Sequence, residues 1–93
     1  MAKVEKRLAI DHVKLLAKGI RCSKYGSVQK LLRAIRSAKI APELSEDLEK
    51  EGPVYLVNYK GYKIIVLPDH VHVIGATPEE AKKVVDELEA QLK

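Results

Sequence analysis

Two histidines stand two residues apart in Leu67-Pro68-Asp69-His70-Val71-His72-Val73-Ile74. On a β-strand, residues i and i+2 point to the same side, so His70 and His72 could hold one divalent cation between their imidazoles. No third ligand is identifiable from sequence, so no metal is expected there. His12 falls on the apolar side of a helical pattern and reads as a hydrogen-bonded core or edge histidine. Cys22 lies among basic residues that could lower its pKa, but no second cysteine or base accompanies it. Gly-rich phosphate loops, paired catalytic carboxylates and Ser/His/Asp spacings are absent. The other group with chemical reach is a set of cations with one aromatic: Lys14, Lys18, Arg21, Lys24, Tyr25, Lys30, Arg33 and Arg36. Lysine and arginine neutralise phosphates, and tyrosine stacks on bases.

The eight residues from Leu67 to Ile74 resemble the His-hydrophobic-His signature of single-strand transposases and rolling-circle nucleases. That resemblance implies a metal held by His70 and His72 and a tyrosine that attacks a DNA phosphate. The transposases place this tyrosine on a later helix. Here Tyr25, Tyr55, Tyr59 and Tyr62 all precede His72. The families also use a larger ferredoxin-like sheet, and no early strand is expected before the first helix. A metal-dependent single-strand nuclease is therefore kept only as an alternative, and the chain is read as non-enzymatic, with no catalytic residue and no cofactor.

The elements that would carry these groups follow from periodicity. Val4, Leu8, His12, Leu15 and Leu16 predict a helix over 3–18, stopped by Gly19. On it, Lys14 and Lys18 share a basic stripe with Lys3 and Arg7. Ser27 caps a second helix over 27–39, with Val28, Leu31, Leu32 and Ile35 inward and Lys30, Arg33 and Arg36 outward. Arg21 to Gly26 is expected as a basic loop between them. A short acidic helix over 42–51 ends at Gly52-Pro53. Strands at 54–59, 62–67 and 70–74 form a meander through tight turns at Lys60-Gly61 and Pro68-Asp69. Thr77, Pro78 and Glu80 open a C-terminal helix with a capping box. The expected fold is α+β: two basic N-terminal helices and a short acidic helix, then a three-stranded antiparallel meander and a C-terminal helix.

Two-residue turns fix the register. Tyr59 meets Tyr62, Val57 meets Ile64, Tyr55 meets Val66, Val66 meets Val71, and Ile64 meets Val73. These residues make one wholly apolar sheet face. The opposite face mixes Val54, Leu56, Ile65, Leu67 and Ile74 with Asn58, Lys63, His70 and His72. Such a face requires a cover: a second subunit first, then the final helix, then a ligand.

Charge supplies the functional argument. The chain of 93 residues holds 17 Lys+Arg and 13 Asp+Glu, and residues 1–40 contain eleven of the bases but two of the acids. No Asp or Glu occurs between His12 and Pro42. Solvated helix faces usually mix both signs, so an acid-free basic stretch favours a polyanionic partner. A single domain over 1–93 that binds nucleic acid is expected, with single strands preferred and DNA over RNA. A self-assembling interaction protein without nucleic acid is the alternative, its acidic 43–51 segment docking on basic helices of a neighbour. A homo-oligomer is expected either way, because a chain this short buries only about 60% of its unfolded surface. No apolar run approaches the roughly 20 residues that span a membrane, which points to a cytoplasmic protein. One Asn, one Cys and one Met among many Lys and Glu resemble the bias of proteins from very hot environments.

Overall fold

The Lys60-Gly61 turn places both residues in the left-handed region, with φ of 50° and 81°, and this twist suits a two-residue hairpin. It joins β3 (Glu51–Tyr59) to β4 (Tyr62–Val66). The register is as the turns require, from Tyr59 opposite Tyr62 to Tyr55 opposite Val66. β5 (Val71–Val73) continues the meander with Ile64 opposite Val73 and Val66 opposite Val71. The computed structural model describes residues 2–93.

The meander is only the middle of the sheet. β1 (Lys3–Val4) pairs with β5, and β2 (Arg21–Ser27) pairs with β3. The result is a five-stranded antiparallel sheet in the order β1-β5-β4-β3-β2, which corrects the three-stranded expectation. The α+β class stands. The errors lie at the N-terminus. Residues expected as one helix over 3–18 form β1, an irregular stretch, and only then α1 (His12–Ala17). Asp11 starts that helix by accepting from the Lys14 N–H at 3.1 Å. The expected loop Arg21–Gly26 is part of an edge strand.

Later elements follow the sequence more closely. Ser27 caps α2 (Val28–Ile35), which ends where Arg36 turns left-handed at φ 51°. The acidic segment is a 3-10 helix at Ala41–Asp47. Gly52-Pro53 does not terminate it but lies within β3, opposite a register shift between Tyr25 and Ser27. α3 (Pro78–Gln91) carries the expected capping box: Thr77 Oγ1 accepts from Glu80 N–H and Glu80 accepts from Thr77 N–H, each at 3.2 Å.

Helices cover both faces. Val57, Ile64, Val66, Val71 and Val73 pack with Leu8, Leu15, Cys22 and the Ala81, Val84, Val85 and Leu88 face of α3. Val54, Leu56, Ile65 and Leu67 pack with Val28 and Leu31 of α2 and with Ile40 and Leu44 at the 3-10 helix. Fully burying such a side chain contributes about 1.5–3 kcal/mol. The mixed face is therefore closed within one chain, by α2 and the 3-10 helix rather than by the final helix. The polar end of that face, at Arg21, Asn58 and Lys63, stays exposed. No helix among the described residues is long and apolar enough to cross a membrane.

Candidate functional site

The sheet divides the basic residues into two groups. α1 packs on the α3 side through Leu15, and α2 packs on the opposite side through Val28 and Leu31. On the first side, Lys14 Nζ donates to the Leu92 carbonyl at 3.0 Å and Lys18 Nζ to the Gln91 carbonyl at 2.7 Å. These carbonyls end α3, where cations complement the helix dipole. Both lysines thus have a structural task that helical spacing could not reveal. Lys24 shares this side, because it alternates with Cys22 and lies opposite Tyr55. Its ammonium sits 5.9 Å from the Tyr55 ring centroid.

The second side gathers the rest. α2 exposes Lys30 and Arg33, and Arg36 follows at its end. Arg21 of β2 lies opposite Asn58 of β3, which lies opposite Lys63 of β4. Directly opposed residues on one face have Cβ atoms about 4.5–5.5 Å apart, so these three make a polar row across the sheet. Lys63 also lines a pocket of about 280 Å³ with Ser37, Lys39, Ile40, Ile74 and the glycines 61 and 75. Lys39 and Lys63 were not among the candidates. Lys39 carried the signal, since it closes the acid-free segment. Lys63 did not, since only cross-strand register brings it beside Arg21. Among the described residues, no carboxylate forms an ion pair with Arg21, Lys24, Lys30, Arg33, Arg36, Lys39 or Lys63. The bridged lysines are Lys3, Lys6, Lys50 and Lys60.

The tyrosines are largely engaged. Tyr25 is half-buried against the α2 side of the core. Lys60 lies 5.6 Å from the Tyr59 ring centroid. The Tyr62 hydroxyl donates to Glu80 at 2.8 Å, a bond that also pushes its pKa up. The cations of the α2 side are therefore more open than the tyrosine rings.

A second cluster lies under the 3-10 helix. His70 and His72 are each 1% exposed and Asp47 is 2% exposed. Asp47 Oδ2 is 2.8 Å from His72 Nε2, and Oδ1 is 3.1 Å from His70 Nε2. Asp69 Oδ1 accepts from His70 Nδ1 at 2.6 Å. Burial pushes Asp47 up, but the hydrogen bond from His72 and the close approach of His70 outweigh it and hold the carboxyl below its usual range. Burial pushes His72 down, which keeps its imidazole neutral. His70 Nε2 and His72 Nδ1 are buried without a hydrogen-bond partner. The third member missing from the sequence is thus Asp47, whose three-residue group could hold a cation. A phosphodiester could touch these rings only if the 3-10 helix moved away.

The remaining candidates are plain. His12 is exposed at the start of α1, not on an apolar face. Cys22 is buried, and burial pushes its thiol up, so it acts as a small apolar side chain. Comparison with protein-family models, with curated proteins and with solved structures finds no match.

Proposed function

We propose that this chain is a non-enzymatic nucleic-acid-binding protein that grips the phosphate backbone with the α2 side of its sheet. The observation that carries the reading is the set of unpaired cations on that side: Arg21, Lys30, Arg33, Arg36, Lys39 and Lys63. On the other side, Asp86 and Glu89 are matched by Lys6 and Glu87 by Lys60. Lys14 and Lys18 contribute to the long-range field rather than to the contact surface, and Lys24 reaches the same edge from the other side. Single strands are the favoured target. The one amide on α2, Gln29, donates to the Leu48 carbonyl at 3.3 Å, so α2 offers no free amide to read a major groove. DNA is preferred over RNA, as no feature selects a 2′-hydroxyl.

Protein purified without nuclease treatment is expected to carry excess absorbance at 260 nm and to leave heparin only at high salt. Clean absorbance together with elution from heparin at low salt would refute phosphate binding.

Self-association is a second reading, favoured by one observation. Val13 and Leu16 of α1 are 76% and 53% exposed, the most exposed large apolar side chains among the described residues. A symmetric contact between two copies of α1 would cover them. Light scattering is expected to show a dimer that Leu16→Glu returns to monomer. A wild-type monomer at high micromolar concentration removes this reading.

A further inference from the structure

Asp47, at the end of the 3-10 helix, meets two histidines that lie 23 and 25 residues further along, beside and within β5. We propose that Asp47, His70 and His72 bind one divalent transition-metal cation, zinc foremost, which clips the 3-10 helix to the sheet. This site does not depend on the nucleic-acid reading.

The donor set fits. Imidazole nitrogen and carboxylate oxygen suit zinc and its neighbours, whereas calcium and magnesium take oxygen donors. One ligand atom from each residue lies within 4.8 Å of the others. The two Asp47 oxygens face different rings, at 3.1 Å from His70 Nε2 and 2.8 Å from His72 Nε2. Asp47 and the two ring nitrogens would supply three protein ligands and leave the fourth tetrahedral position to a water. Ligand bonds of about 2.0–2.2 Å require the two rings to draw together by about an ångström. They stand edge to face with centroids 4.9 Å apart.

Proton placement points the same way. The Asp69 carboxylate can only accept, so His70 Nδ1 carries a hydrogen. This is the outer carboxylate that usually orients a metal-bound histidine. With no second proton on that ring, the lone pair of Nε2 would face Asp47 Oδ1 across 3.1 Å, two acceptors in a buried gap. A shared cation satisfies both. His72 Nδ1 lacks a partner wherever its proton sits, so it does not discriminate. Lys50 Nζ stands 3.4 Å from Asp47 Oδ1, and its side chain is 44% exposed. It can supply charge to the empty site and withdraw into solvent when a metal enters.

The competing occupant is a proton on His70 Nε2, which would make an imidazolium between two carboxylates. Metal loading separates the two. The full chain is unfolded with chelator, refolded with Co²⁺ or Zn²⁺, and dialysed. About one metal per chain is expected, as for a cation bound with folding. The cobalt form should show strong visible d–d bands, and excess Zn²⁺ should bleach them. Zinc should raise the melting temperature by several degrees over chelator. His72→Ala should abolish the bands and His12→Ala should keep them. If His72→Ala does not fold, zinc competition against the wild-type cobalt bands decides the matter. Folded wild type that retains less than about 0.1 metal per chain, or that melts identically in zinc and in chelator, overturns the proposal. So do cobalt bands that persist in folded His72→Ala.

Discussion

Asp47→Ala, measured with chelator present, is expected to lower stability by about 2–3 kcal/mol. The carboxylate is buried and holds both histidine rings, and its removal leaves His72 Nε2 with no partner in the core. Asp47→Asn keeps the shape and can still bond one ring, so its cost should be milder, about 1–2 kcal/mol. A denaturant melt that places Asp47→Ala within about 0.5 kcal/mol of wild type would mean that the 3-10 helix is not anchored there.

The same cluster sets the response to acid. His72 is held below its ordinary value by burial, so the unfolded chain takes up this proton first as pH falls through about 6.5. Stability should decline from there toward the lower folded pKa. Asp47 is also depressed, so its contribution is present above the ordinary carboxylate range and is lost as pH falls through its folded value. Both effects have one sign. Metal-free wild type should weaken steadily below about pH 6.5, and Asp47→Ala should lack only the part of that decline that lies below the ordinary carboxylate range.

The second large effect is on affinity. Replacing Lys30, Arg33 and Arg36 together with glutamate is expected to weaken nucleic-acid binding by roughly a hundredfold or more near 0.1 M salt. Each phosphate contact removed releases fewer counterions, so the log–log salt slope should flatten by about 0.7 per contact for a single strand. Melting should barely change, since exposed charges contribute about 0–1 kcal/mol. Lys14→Ala with Lys18→Ala should flatten the slope less, because their ammonium groups already serve the carbonyls of α3. Wild-type affinity in the triple variant would show that the α2 surface is merely solvated.

How far the residues disclosed this arrangement depended on whether the signal was local. Lys60-Gly61 dictates a tight hairpin, and with period-2 alternation it fixed the pairing of β3, β4 and β5. Thr77, Pro78 and Glu80 marked the start of α3, and Ser27 that of α2. The edge strands were hidden for opposite reasons. β1 is two residues long and too short to show a period. β2 has Lys24 where an inward strand position would be apolar, so its alternation is broken. Val4, Leu8 and Leu15 fall at helical spacing by coincidence, since Val4 pairs with β5 and Leu8 sits in irregular chain. The Asp11 cap, inside that apparent helix, was the local clue to its true start. Asp47 could not be singled out among Glu43, Glu46, Glu49 and Glu51, because only the 3-10 helix turns it inward. The grouping of Arg21 with Lys63 likewise exists only once β2 has joined the sheet.

The central claim is that the unpaired cations around α2 bind a phosphate backbone. A fluorescence-anisotropy titration of wild-type protein against labelled single-stranded DNA, duplex DNA and RNA, at two salt concentrations, tests it most directly. Saturable binding is expected, tightest for single-stranded DNA, with a log–log salt slope steeper than about −2. No binding at low salt up to high micromolar protein, or binding that salt does not weaken, would contradict it.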